Sequence, residues 1–159
     1  MIQRSLLALA LIAVACTAVA AQNLSPITLP APQTDGGKPL MQVLKARQSA
    51  REYGSEKLPP QVLSNLLWAA WGINRPDGHR TAPSASNKQE IDVYVVMPEG
   101  AYIYDAKAHA LNPVASGDLR AVTGTQPFPA TAALNLVYVA DMTKAGRPAT
   151  DPQQAMNVG

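Results

Sequence analysis

The apolar positions along this chain fall into a solid run, helical stripes and strand-like segments, and these predict its elements. Residues 6–21 are an almost unbroken apolar run. Residues 22–38 have no apolar period and are rich in Pro, Thr and Gly, which predicts an extended linker or arm. Pro39 can start a helix, and Leu40, Met41, Val43 and Leu44 form a helical stripe that reads as core, to about Gln48. Pro59 or Pro60 opens a second helix with Val62, Leu63, Leu66, Leu67, Ala70 and Trp71 at helical spacing and Gly72 as its C-cap. Of Trp68 and Trp71, one is assigned to the core.

The period then changes. Ile91–Met97 is a β-branched strand, Pro98-Glu99-Gly100 turns the chain, and residues 101–105 form a second strand, so the two make a hairpin. Tyr102 and Tyr104 fall on one face, with hydroxyls expected in solvent. Residues 106–110 form a turn, and 111–114 extend the meander. Gly117-Asp118 starts a helix through Val122, and residues 134–140 form a third strand, expected to be central. The order helix, helix, hairpin, helix, strand predicts an α+β fold rather than strict β-α alternation.

The apolar run at the start reads as a targeting segment. Arg4 supplies the positive end, the run is shorter than the ~20 residues of a membrane span, and Ala18-Val19-Ala20 or Val19-Ala20-Ala21 fits a small-x-small cleavage site. Residues 1–21 are therefore expected to be a signal peptide, and the protein to be exported, periplasmic or secreted. A retained anchor or lipid attachment at Cys16 is the alternative. Cys16 is the only cysteine, so the mature chain would have no disulfide and no thiolate nucleophile. His79 and His109 lie thirty residues apart without metal-ligand spacing, which predicts surface histidines and no metal. Of 13 Lys plus Arg, Arg4 precedes residue 22, leaving 12 against 11 Asp plus Glu; with no basic block, nothing points to nucleic acid. The remaining ~138 residues make one domain with a real core.

Two segments carry candidate chemistry. Leu44-Lys-Ala-Arg-Gln-Ser-Ala-Arg-Glu-Tyr53 puts Arg47, Ser49 and Arg51 where a helix gives way to extended chain. A planar guanidinium fork, a hydroxyl and nearby amides suit a phosphate monoester. Ala82-Pro-Ser-Ala-Ser-Asn-Lys-Gln89 is a polar loop entering a strand, and Asn87 offers both donor and acceptor to a heterocyclic ring edge. The competing reading is a solvated helix face and an ordinary surface loop. Between the segments, Arg75, His79 and Arg80 lie in a Gly- and Pro-rich stretch that is either a solvated loop or a mobile wall over a pocket. There is no Gly-x-Ser-x-Gly motif and no Ser-His-Asp spacing, and no side-chain nucleophile or acid–base pair stands out.

Arg47-Gln48-Ser49-Ala50-Arg51 resembles the N-terminal motif of the flavin-dependent nitroreductase family, and Pro83-Ser-Ala-Ser-Asn-Lys-Gln89 its Pro-Ser-Ser-x-Asn-x-Gln motif. Leu66-Leu-Trp-Ala-Ala-Trp-Gly-Ile73 is similar to the branch that includes thiazoline and oxazoline oxidases. The resemblance implies a central, mostly antiparallel sheet flanked by helices, with residues 39–159 forming the N-terminal portion of the family's domain. It implies FMN bound non-covalently at a homodimer interface. Arg47 and Arg51 would neutralise the phosphate, Gln48 and Ser49 would bond phosphate or ribityl oxygens, Asn87 would meet the ring edge, and Ser84 and Ser86 would shape the loop. Gln48 departs from the usual Arg or His. The implied activity is hydride transfer from a reduced donor to a small organic acceptor by ping-pong chemistry, with no catalytic side chain. The family continues past the end of this chain, so the fold is expected to be truncated. An exported binding or scaffolding module without turnover is the second reading.

Overall fold

The structure, a computed structural model, describes residues 23–54 and 56–145. The expected signal peptide with its candidate cleavage sites, Cys16 and residues 146–159 lie outside the described residues.

The architecture is α+β. Five antiparallel strands form one sheet: β1 (Ile27–Thr28), β2 (Ile91–Met97), β3 (Gly100–Asp105), β4 (Ala110–Ser116) and β5 (Asn135–Ala140), in the order β1-β4-β3-β2-β5. The helices are α1 (Leu40–Ala46), α2 (Pro60–Trp71) and the single turn α3 (Met142–Ala145). The predicted hairpin is β2–β3, closed by Pro98-Glu99 with Met97 opposite Gly100. Gly100 is required sterically, because a Cβ there would meet the Ala115 carbonyl oxygen at 2.5 Å. The core joins Leu63, Leu67 and Trp71 of α2 to Val93, Val95 and Met97 of β2, Tyr102 and Tyr104 of β3, and Leu111 of β4. Trp71 is the core tryptophan, whereas Trp68 is half-buried and donates to the Ile73 carbonyl at 3.2 Å.

Gly72 caps α2 where expected, but for a different reason. Its φ of −72° and ψ of 158° are extended, not left-handed. A Cβ there would lie 2.5 Å from both Trp68 Cδ1 and the Trp68 carbonyl oxygen, so close approach selects glycine.

Four further expectations change. The arm is extended, but β1 also pairs Ile27 with Leu111 and Thr28 with Ala110, and Leu29 is buried in the core. The α1 stripe is not core among the described residues: Leu40 is 69% and Met41 74% exposed, and no α1 residue is buried. An amphipathic stripe predicts a coverable face without specifying what covers it. The helix expected from Gly117 to Val122 shrinks to a 3-10 turn at Arg120–Val122, because Asp118 takes the Arg120 N–H at 3.1 Å and its guanidinium at 2.7 and 2.9 Å. That pairing drives the Asp118 pKa down to about 2. Finally, among the described residues β5 is the edge strand next to β2, with Tyr138 and Val139 exposed. Its apolar run does not distinguish an edge from a centre.

Candidate functional site

Two polar clusters flank the core, and they differ in how their hydrogen bonds are used. The first lies under the arm. Ser64, fully buried on α2, donates to the Pro30 carbonyl at 2.6 Å. Its oxygen therefore accepts from His109 Nε2–H at 2.7 Å, and His109 Nδ1 accepts from the Tyr104 hydroxyl at 2.9 Å. The Tyr104 and His109 rings meet edge-on, 5.8 Å apart. Burial lowers the His109 pKa and raises that of Tyr104 to about 12. With its proton committed to Pro30, Ser64 is no nucleophile; the cluster clasps the arm to α2 and the β3–β4 turn. His109 is thus not a free surface residue, and the Tyr104 hydroxyl does not face solvent. A backbone φ of +48° carries the imidazole into this arrangement, a feature that sequence spacing does not display.

The second cluster is built on the polar loop before β2. Three non-glycine residues there occupy the left-handed region: Ser86 at φ +54°, Asn87 at +51° and Gln89 at +48°. Such residues persist only where surrounding bonds over-determine them. Here the Ser84 carbonyl accepts from Asn87 N–H at 3.1 Å, and Ser84 Oγ accepts from Gln89 N–H at 2.9 Å. The Gln89 amide donates to Asn87 Oδ1 and to the Gly78 carbonyl, both at 3.0 Å. Gln89 Oε1 accepts from Arg80 Nε at 2.8 Å. Arg80 Nη1 donates to the Trp71 carbonyl at 2.8 Å, and the guanidinium lies 5.0 Å over the Trp71 ring. A single chain of contacts thus runs from the C-terminus of α2 through Arg80 and Gln89 to Asn87. It leaves the Asn87 amide N–H groups without a protein acceptor among the described residues.

The loop at 74–81 is pinned rather than loose. Ile73 bridges Arg80, Asn74 N–H donates to the His79 carbonyl at 3.2 Å, and Thr81 N–H donates to the Gly72 carbonyl at 2.9 Å. Between this loop and the strained turn lies a cavity of about 290 Å³, lined by Arg75, His79, Arg80, Thr81, Ala82, Pro83, Ser84 and Asn87. The sequence gives no role to Gln89, although it closes the Pro-Ser-Ala-Ser-Asn-Lys-Gln motif, and it leaves Arg75, His79 and Arg80 open between a solvated loop and a pocket wall.

Ser84 and Asn87 line this cavity, and Ser86 sits exposed on the turn between them. Arg47, Gln48, Ser49 and Arg51 lie elsewhere. Arg47 is the C-cap of α1, and all four are exposed on a segment without regular structure. None of them lines this cavity. The segment touches the body where Tyr53 meets Phe128, ring centroids 6.2 Å apart. Within this chain, then, the structure brings Ser84, Ser86 and Asn87 together but does not join them to the arginine motif. Among the described residues no group of three His, Cys, Asp or Glu side chains could hold a metal ion, and no helix is long and apolar enough to cross a membrane.

A crystal structure described as a nitroreductase, from Ralstonia eutropha JMP134, superposes with a TM-score of 0.75 at 43% identity, covering 84% of this chain and 63% of that one. A protein of Methanocaldococcus jannaschii, also named as a nitroreductase, is 31% identical over 118 residues, 68% of this chain and 60% of its own length. The chain thus spans somewhat over half the length of these relatives. The sequence model of the Nitroreductase family matches residues 44–159, which include both the arginine segment and the Ser84–Asn87 turn. The chain belongs to the nitroreductase family.

Proposed function

We propose that the protein is an FMN-dependent oxidoreductase, in which a reduced donor and a small organic acceptor use one site in turn, in ping-pong fashion. The observation that carries this reading is the strained turn at Ser86, Asn87 and Gln89, held by an unbroken set of hydrogen bonds that leaves the Asn87 N–H groups for a ligand. Flavin mononucleotide, when bound, would supply the two-electron hydride chemistry. The residues present fit such a group: Asn87 offers amide donors suited to a carbonyl edge, and the adjoining cavity carries guanidinium charge. Ser84 fixes the turn through its hydroxyl and carbonyl, and Ser86 forms its outer corner. Arg47 and Arg51 would hold the phosphate, with Gln48 and Ser49 bonding phosphate or ribityl oxygens.

A cavity of about 290 Å³ is too small to hold a whole mononucleotide. The remainder of the pocket would come from a second copy of the chain, with the flavin at a homodimer interface. The exposed apolar residues Leu40, Met41, Val43 and Leu44 on α1 and Val62 and Leu66 on α2 support this reading. The Leu66–Ile73 run supports an affinity with the thiazoline and oxazoline oxidases. Residues 1–21 support export, to the periplasm or beyond.

Fluorescence-quenching titration with FMN tests the reading. Arg47→Lys should weaken binding, because an ammonium cannot reproduce the planar fork, and Arg47→Ala should weaken it further. The loss is about 1.5–3 kcal/mol, roughly one to two decades in affinity. Lys45→Ala, on exposed α1, is the control and should leave binding unchanged. Equal flavin binding by Arg47→Ala and Lys45→Ala would reduce Arg47 to a solvated helix-end charge.

A further inference from the structure

The cavity beside the strained turn has an unbalanced charge. Two guanidiniums and an imidazole line it, and no carboxylate does. Arg80 is only half-exposed and makes no ion pair among the described residues. Its hydrogen bonds go to a carbonyl and an amide, both neutral. Burial is the largest influence on it and holds its pKa below the ordinary arginine value; Asp92 and Asp105 oppose that only through space. Arg75 is also without an acid: Nε donates to Asn74 Oδ1 at 2.9 Å and Nη2 to the Arg80 carbonyl at 3.3 Å. Those bonds fix its plane and leave Nη1 without a protein acceptor among the described residues. The nearby carboxylate, Asp77, lies 2.9 Å from His79 Nδ1, forms no ion pair with either arginine and acts on Arg75 only through space.

A partly buried charge without a counter-ion is costly, and its natural complement is an anion. The walls narrow the choice. Ala82 and Pro83 line the same cavity, so an occupant meets apolar surface as well as guanidinium. A fully hydrated inorganic anion gains nothing from that surface, whereas an organic carboxylate presents a planar anionic head to the arginines and an apolar body to the wall.

We propose that the cavity between Arg75, Arg80 and the Ala82-Pro83 wall binds the carboxylate of a small organic acid, with the acid's body lying on that wall. The use of that acid as a redox substrate rests on the flavin reading above; its binding does not.

The experiment uses the full chain at constant ionic strength. Benzoate is titrated against it in one series and inorganic phosphate in another, with Trp71 fluorescence as the reporter, since Arg80 lies over that ring. A saturable response to benzoate, with phosphate at least about tenfold weaker, is expected. Arg75→Gln should weaken benzoate about tenfold, the scale of one lost charge-assisted bond. Arg80→Lys, which keeps the charge and loses the fork, should do the same, with folding checked by circular dichroism. If Arg80→Lys does not fold, Arg75→Gln alone decides, because its side chain is exposed. Lys45→Ala, on exposed α1, should bind benzoate like the parent, and because the titration contains no flavin, failure of the flavin reading and failure of this one are seen separately. No saturable benzoate response, phosphate binding as tight as benzoate, or an Arg75→Gln variant that binds benzoate unchanged would overturn the proposal.

Discussion

The two polar clusters are similar in size and opposite in design. At Ser64, His109 and Tyr104 the linking hydroxyls and both ring nitrogens have partners, and Ser64 and Tyr104 are buried. At the Ser84–Gln89 turn, three residues hold an unfavourable backbone, an amide faces outward and two arginines lack acids. Satisfied buried networks rigidify a fold. Strain and unsatisfied charge are kept where a ligand completes the set. A Ser-His-Tyr contact looks more like catalysis than a loop of Ser and Asn does, yet here the geometry assigns it to architecture.

This contrast predicts that the clasp is read in stability and the turn in binding. The scale is set by the core between them. Leu67 has no exposed surface, and Leu67→Ala should cost about 2–5 kcal/mol in urea denaturation. A cost near zero would remove α2 from the core. Ser64→Ala comes next, at about 1–3 kcal/mol, because the Pro30 carbonyl and His109 Nε2–H lose their partner. An unchanged urea midpoint would mean that the clasp holds nothing.

A smaller effect follows from pH. The folded pKa of His109 is lowered from 6.5, mainly by burial, so the unfolded chain binds its proton more readily. The clasp's contribution is therefore present above about pH 6.5 and is lost as pH falls through the lowered folded value. Melting temperatures at about pH 7.5 and pH 5.5 should differ more for the parent than for His109→Gln, which cannot titrate there; equal differences would place the acid sensitivity elsewhere. Smallest is Ser86→Gly, at the other cluster. The Ser86 side chain is exposed and takes part in no hydrogen bond among the described residues, so glycine should relieve the left-handed strain and raise stability by up to about 1 kcal/mol. Reduced stability in a melt of that variant would show the turn to be unstrained.

Much of the fold was legible in the sequence because short-range patterns encode it. The β2–β3 hairpin, the bounds of α2 and the turn before β2 follow from β-branched runs, helical spacing and Pro or Gly punctuation. The failures are those of partner and position. The stripe on α1 specified a face but not its cover, the run at 134–140 specified a strand but not its edge position, and Gly72 was chosen by a clash with Trp68 rather than by its φ.

The sequence by itself determined the α+β class and the family, and it singled out two polar segments as candidates for a site. Those rest on residue type and spacing, which are local properties. Tertiary structure alone decided that His109 is locked to Ser64 and Tyr104, 45 and 5 residues away, and that Arg80 reaches Asn87 through Gln89. It also decided that Arg47 and Asn87 do not line one cavity within the chain. These are outcomes of how the sheet, α2 and the arm pack, since burial and hydrogen-bond partners are set by chain segments far apart in sequence.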